Sequence, residues 1–140
     1  MKIPTNLKHK PVFVVEDYDQ IDGRYAGNTD AKGLSIGIAQ WGPDASAKVW
    51  RHTDEKWSRQ SEELPLHRVL DLALLICATK ANIENIDITG LPVSFNVKLA
   101  NGDAKIEQQR EFVSKEFNDE SNGIDDRLKR LSKMLKQLGY

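Results

Sequence analysis

Leu34-Ser35-Ile36-Gly37-Ile38-Ala39-Gln40-Trp41-Gly42-Pro43-Asp44-Ala45-Ser46-Ala47-Lys48-Val49-Trp50-Arg51-His52-Thr53 is the stretch on which the fold turns. From Leu34 to Trp41, large apolar side chains alternate with small or polar ones at the period of two that marks a strand. Gly42-Pro43-Asp44 supplies turn chemistry, and residues 46–53 offer a returning strand, so the segment reads as a β-hairpin. A four-residue loop at 42–45 would set Ile38 opposite Val49 and Gly37 opposite Trp50. Lys48, Trp50 and His52 would then share a face with Trp41, and Leu34, Ile36, Ile38 and Val49 would form the other face. A loop one residue longer or shorter would turn Trp50 toward the isoleucines in the core. The first register is preferred because the second would also bring Lys48 and His52 inside; it does place Arg51 on the core face.

Outward from the hairpin, Pro11-Val12-Phe13-Val14-Val15 is a β-branched and aromatic run behind a proline, suited to a strand near a sheet edge. The acidic stretch 16–30, with Gly23 and Gly27 as turn residues, reads as a long loop. Pro65 sits before Leu66-His67-Arg68-Val69-Leu70-Asp71, where a helix can begin, with Ser61, Glu62 and Glu63 as cap and first-turn charge. That helix is expected to run to about Thr79 or Ala81, and its apolar circumference over residues 72–78 predicts a central helix covered on most sides. Val93, Phe95, Val97 and Leu99 alternate with Ser94, Asn96 and Lys98 as a strand would. Residues 105–117 turn helical. Ile124, Leu128, Leu131, Leu135 and Leu138 then make an apolar stripe that ends at Gly139, a natural stop. The sum is an α+β domain: a small, largely antiparallel sheet using strands near residues 12, 34, 46 and 93, packed by a central helix and two C-terminal helices.

A length of 140 residues fits a single domain over 1–140. Hydrophobic residues at 39% and charged residues at 29% place the chain outside the disordered regime. Twenty Lys and Arg nearly balance 21 Asp and Glu, so no global field draws it to nucleic acid or to an acidic membrane. The first ten residues are basic and polar without the apolar run of a signal peptide, and no apolar run approaches membrane-spanning length, so a cytosolic location is expected. Cys77 cannot form an internal disulfide and reads as a small buried hydrophobe.

The tryptophans Trp41, Trp50 and Trp57 stand among Lys48, Arg51, His52, Lys56, Arg59, Gln60 and His67. Trp offers a rigid face with a polar N–H, and Arg stacks on such faces and binds carboxylate or phosphate in a fork. The ligand-binding candidates are therefore Trp41, Trp50, Trp57, Arg51, His52, Arg59 and Arg68, for a small ligand or a partner's peptide. The competing reading makes the tryptophans packing material between sheet and helix. His67, Asp71 and Glu63, at spacings of four, are weak catalytic candidates for a histidine oriented by a carboxylate. Ser58 and Ser61 lack the glycine frame of a nucleophile elbow.

The acidic loop holds oxygen ligands at Glu16, Asp17, Asp19, Asp22 and Asp30 but fails the EF-hand spacing, so no metal is expected there. Gly27-Asn28-Thr29-Asp30-Ala31-Lys32-Gly33 is no P-loop, since its lysine precedes the second glycine and a strand follows. No cofactor motif is complete. The basic side of the last helix (Arg127, Lys129, Arg130, Lys133, Lys136) reads as a solvated face and not as a membrane or nucleic-acid surface. Its leucine stripe is compatible with a homo-oligomer.

The segments Leu7-Lys8-His9-Lys10-Pro11-Val12, Asp22-Gly23-Arg24-Tyr25-Ala26, Thr29-Asp30-Ala31-Lys32-Gly33-Leu34-Ser35-Ile36-Gly37 and Lys56-Trp57-Ser58-Arg59-Gln60-Ser61-Glu62-Glu63-Leu64-Pro65-Leu66-His67-Arg68 together resemble a family of small bacterial proteins known only as a domain of unknown function. The resemblance covers roughly the first eighty residues and the last helix, with a shorter middle. It implies a bacterial, cytosolic protein and carries no activity or ligand. The leading expectation is a cytosolic binding or interaction module built on the aromatic and Arg residues. The alternative is an enzyme for a small phosphorylated or glycosylated substrate with His67 as acid or base.

Overall fold

A computed structural model describes residues 1–140 and contains five strands and three α-helices, an α+β architecture as the periodicities predict. The chain divides into two compact units, residues 1–73 and 74–140.

In the first unit, β1 (Lys10–Val15), β2 (Ala31–Ile38) and β3 (Ala45–Thr53) form an antiparallel meander. The outer edge of β3 is completed by β4 (Lys56–Trp57) against His52 and Thr53 and by β5 (Glu63–Pro65) against residues 46–48. Pro11 lies on β1, the edge strand, next to a bulge in its register, where a missing N–H costs no ladder bond. Residues 18–20 and 23–25 of the acidic loop are single 3₁₀ turns, and its Asp19 and Asp30 pair with Lys32 and Arg51.

The hairpin loop is four residues long, but it is 40–43, closed by the Ala39 amide on the Asp44 carbonyl. Ile38 therefore faces Ala45, Leu34 faces Val49 and Gly33 faces Trp50. The pairing differs from the expected one by an even number of residues, so side chains share faces as foreseen: Lys48 and Trp50 on one, Leu34, Ile36, Ile38 and Val49 on the other. The expected inside and outside are reversed. Trp50 is 1% exposed while Ile38 is 51% exposed. The cause is the segment before β1. It crosses β2 so closely that a Cβ on Gly33 would lie 2.6 Å from Ile3 Cδ1, and only small residues (Ala31, Gly33, Ser35, Gly37) permit that approach. The small positions of the alternation are thus the tightly covered face. The opposite face lines an apolar groove of about 480 Å³ with Phe13, Val15, Leu34, Ile36, Val49 and Leu64.

Ser61 and Glu62 do not cap the helix, and Glu63 belongs to β5, since Leu64, the residue before Pro65, is driven to extended backbone. The helix α1 (Leu66–Ile83) opens directly after Pro65. It runs past Ala81 to a stop in which Asn85 takes the left-handed conformation (φ 54°) and the Ile86 amide bonds back to the Ala81 carbonyl, a cap Asn can supply. Leu70, Leu72, Leu74, Leu75 and Ile76 are exposed, against the expectation of a covered helix, and Cys77 is exposed as well.

In the second unit, α2 (Ile106–Asn118) and α3 (Ile124–Gln137) follow the predicted helical segments. α3 ends in a full glycine cap: Gly139, at φ 95°, donates to the Lys136 carbonyl and Tyr140 to the Leu135 carbonyl. The strand expected near residue 93 does not form. A period-two pattern becomes a strand only with a ladder partner, and residues 74–140 contain no other extended segment that pairs with it. Instead, Phe95 donates its amide to the Pro92 carbonyl in a turn, and Val93 is 98% exposed. No helix is long and apolar enough to cross a membrane.

Candidate functional site

A buried polar cluster occupies the covered face of the sheet. His9, 2% exposed, is held over β2 and β3 by its place in the crossing segment. Its Nδ1 lies 2.8 Å from Glu63 Oε1 and 3.1 Å from Ser46 Oγ, and its Nε2 lies 2.9 Å from Ser35 Oγ. Ser46 Oγ donates to Glu63 Oε1 at 2.7 Å, the Gln40 amide donates to the same oxygen at 3.1 Å, and Trp50 Nε1 donates to Ser35 Oγ at 2.8 Å. One proton arrangement satisfies nearly every atom. Neutral His9 donates from Nδ1 to the Glu63 carboxylate and accepts the Ser35 hydroxyl at Nε2, while Ser35 accepts from Trp50.

Glu63 carries the negative charge of this cluster. Burial pushes its carboxyl up, but hydrogen bonds from Ser46, His9 and the Gln40 amide outweigh burial and hold it below the ordinary carboxylate value. Its Oε2, fully buried, has no hydrogen bond. The nearest cation is Lys48 Nζ, 3.8 Å away. Lys48 is itself buried and lies 5.2 Å from the centre of the Trp50 ring. Burial lowers the ammonium pKa below its usual value, opposed by the charges of Glu63 and Glu62.

In front of this cluster is a pocket of about 450 Å³ lined by Asn6, Leu7, Lys8, His9, Gln40, Lys48, Trp50, Ser58 and Arg59. Three of those residues are Lys or Arg and none is acidic, in a chain whose net charge is −1. The volume suits a small ligand. Hydroxyl, imidazole and carboxylate in the order Ser35, His9, Glu63 have the connectivity of an acyl-transfer relay. Ser35, however, is only 5% exposed and is not among the residues lining this pocket, so the relay does not open onto it.

The residues singled out from sequence are distributed unevenly around this centre. Trp50 and Arg59 line the pocket. Trp57 packs edge-on to Trp50 (5.9 Å between ring centres) and to His52 (5.0 Å), forming an aromatic row behind it. Trp41 is 45% exposed within the hairpin loop, and its Nε1 donates to Asp44. Arg51 is engaged by Glu62 and Asp30, which raise its pKa further. Arg68, His67 and Asp71 are exposed on α1, and no hydrogen bond or ion pair joins His67 to Asp71 or Glu63. Glu63 is not on that helix face, since it belongs to β5. Sequence reasoning passed over His9, Ser35 and Ser46. Their signal was the small-residue face of β2, which asks for something packed tightly against it. No group of three or more His, Cys, Asp or Glu side chains is placed to hold a metal ion.

A family model described as a family of unknown function (DUF6530) matches residues 1–140. No curated protein and no solved structure matches the chain.

Proposed function

We propose that this chain, which belongs to the family of unknown function DUF6530, is a binding protein for a small anionic molecule with a flat or apolar portion, held in the pocket in front of His9, Lys48 and Trp50. The observation that carries this reading is the lining: Lys8, Lys48 and Arg59 with no carboxylate among them, beside the Trp50 ring. Arg59, exposed at the rim, can fork onto a carboxylate or phosphate, and Gln40, Asn6 and Ser58 add neutral hydrogen-bonding groups. The buried His9–Glu63–Ser46 cluster supports it from behind, because its hydrogen bonds through Glu63 Oε1 and Ser35 hold the Trp50 side of the pocket in one arrangement. A bacterial, cytosolic setting belongs to the same reading and rests on the sequence resemblance.

The enzymatic alternative, acid or base chemistry at His67 on a phosphorylated or glycosylated substrate, lacks comparable support. His67 and Asp71 are exposed and unjoined, and Glu63 is committed to His9 and Ser46.

The test is a thermal-shift and tryptophan-fluorescence titration with inorganic phosphate, small mono- and dicarboxylates, and mononucleotides. Anions are expected to raise the melting temperature and alter Trp emission in the wild type, with the effect reduced in Arg59→Gln, since a ligand that binds only the native state stabilises it. Equal silence from every anion would refute the proposal.

A further inference from the structure

Lys48 and Glu63 are placed together in a way that simple ion pairing does not explain. A charge-assisted bond between ammonium and carboxylate normally closes to about 2.7–2.9 Å. Here the two side chains, 6% and 1% exposed, stop at 3.8 Å, and Glu63 Oε2 is left without any hydrogen bond. The carboxylate's other oxygen is already occupied by His9, Ser46 and the Gln40 amide, so its position is fixed by the cluster and not by Lys48. The amine lines the pocket that also holds Lys8 and Arg59 and lies 5.2 Å from the centre of the Trp50 ring. The result is a secluded primary amine that opens on a pocket also lined by Lys8 and Arg59 and has an unengaged carboxylate oxygen 3.8 Å away.

We propose that Lys48 is the reactive group of this pocket: its Nζ condenses with the carbonyl carbon of a small aldehyde or ketone that also carries a carboxylate or phosphate. The inference rests on the anion-binding reading above and deepens it. Burial disfavours the Lys48 ammonium, and its proton leaves by way of the unengaged Glu63 Oε2, which relays the proton and does not keep it because Glu63 is held ionised. The nitrogen lone pair forms a C–N bond to the carbonyl carbon, the C=O pair moves to oxygen, and that oxygen receives the proton relayed by Glu63 Oε2. The nitrogen then gives up a second proton through the same carboxylate to that oxygen, which leaves as water while the nitrogen lone pair closes the C=N bond. The products are one imine and one water, with no change of oxidation state. Arg59 and Lys8 hold the anionic end of the ligand, and the Trp50 face packs against its body. Burial favours the neutral amine that the first bond requires.

Reductive trapping tests this directly. The intact protein is incubated with glyoxylate and cyanoborohydride, and the carboxymethylated lysines are mapped by mass spectrometry against time. Lys48 is expected to be modified faster than exposed lysines such as Lys105 and Lys129, because burial favours its neutral amine and the pocket gathers the anionic aldehyde beside it. Arg59→Gln slows the Lys48 adduct selectively. Lys48→Arg, which keeps the cation beside Glu63 and whose fold is checked by circular dichroism, loses the fast adduct while the surface lysines react as before.

Modification of Lys48 no faster than the exposed lysines overturns the inference. In that case, glyoxylate or phosphate that still shifts Trp emission in the wild type, but not in Arg59→Gln, leaves the pocket standing without its chemistry. Absence of both effects removes both readings.

Discussion

Gly37 lies so close beneath His9 that a Cβ on it would stand 2.9 Å from the imidazole Nε2 and 2.1 Å from the Lys10 carbonyl oxygen. The second contact is with backbone, so no side-chain rotation relieves it. The glycine is therefore a steric condition for bringing His9 over Ser35. Gly37→Ala is expected to destabilise the protein by about 1–3 kcal/mol, the usual cost of overpacking a tight site. Gly102→Ala, with open space around the position, should change stability by no more than about 0.5 kcal/mol. Urea denaturation of the two variants beside the wild type decides it. Equal midpoints would mean that the crossing segment is not held as described.

Trp50 and Trp41 should behave oppositely, although the sequence treated them as members of one surface. Trp50 fills the covered face and gives its Nε1 proton to Ser35. Trp50→Phe loses that bond and leaves a gap, for a cost of about 2–4 kcal/mol. Trp41 is half exposed and bonds only to nearby Asp44, so Trp41→Phe should cost less than about 1 kcal/mol. The ratio of the two losses, read from denaturation midpoints, is the discriminating quantity.

That contrast shows where the sequence was legible and where it was not. Period-two alternation from Leu34 announced a strand, which ends at Ile38 and not at Trp41, and the stripe from Ile124 to Leu138 announced a helix, because each pattern is a local property of the backbone. Which side of the sheet is buried is not local. It depends on residues 3–9 returning across β2, a contact between segments more than twenty residues apart. Large side chains marked the wrong face because close approach of a chain selects small ones. The same limit hid the candidate site: His9, Ser35, Ser46 and Glu63 come from four separate segments, and no spacing rule joins them. Val93 to Leu99 failed for the complementary reason, a good strand pattern without a partner strand.

The Glu63 carboxyl gives the fold an acid-sensitive support. Its folded-state pKa lies below the ordinary value of 4.5, so the ionised form is favoured by folding. The corresponding stability is fully present above about pH 4.5 and is lost as pH falls through the lower folded value. Glu63→Gln should therefore be less stable than the wild type near neutrality, and the difference should narrow on acidification as the wild type loses its advantage. Urea midpoints measured across the acid range test this. Curves for the two proteins that run parallel to the lowest pH at which both fold would contradict it.

Arg51 and Arg59 provide a double dissociation. Arg51 reaches both Glu62 and Asp30, so its guanidinium is already committed to bonds within the protein. Arg59 lines the pocket. Arg51→Gln should lower stability by about 1 kcal/mol, an amount that shrinks with added salt because the pairs are partly exposed. It should leave anion affinity nearly unchanged. Arg59→Gln should do the reverse, leaving the urea midpoint in place and weakening anion binding about tenfold, the factor that corresponds to one lost charge-assisted contact of about 1.4 kcal/mol. Titrating phosphate or a carboxylate into both variants, with their melting curves recorded alongside, separates the two roles. If Arg51→Gln weakened binding as much as Arg59→Gln did, the binding surface would have to be moved from the pocket toward the outer edge of β3.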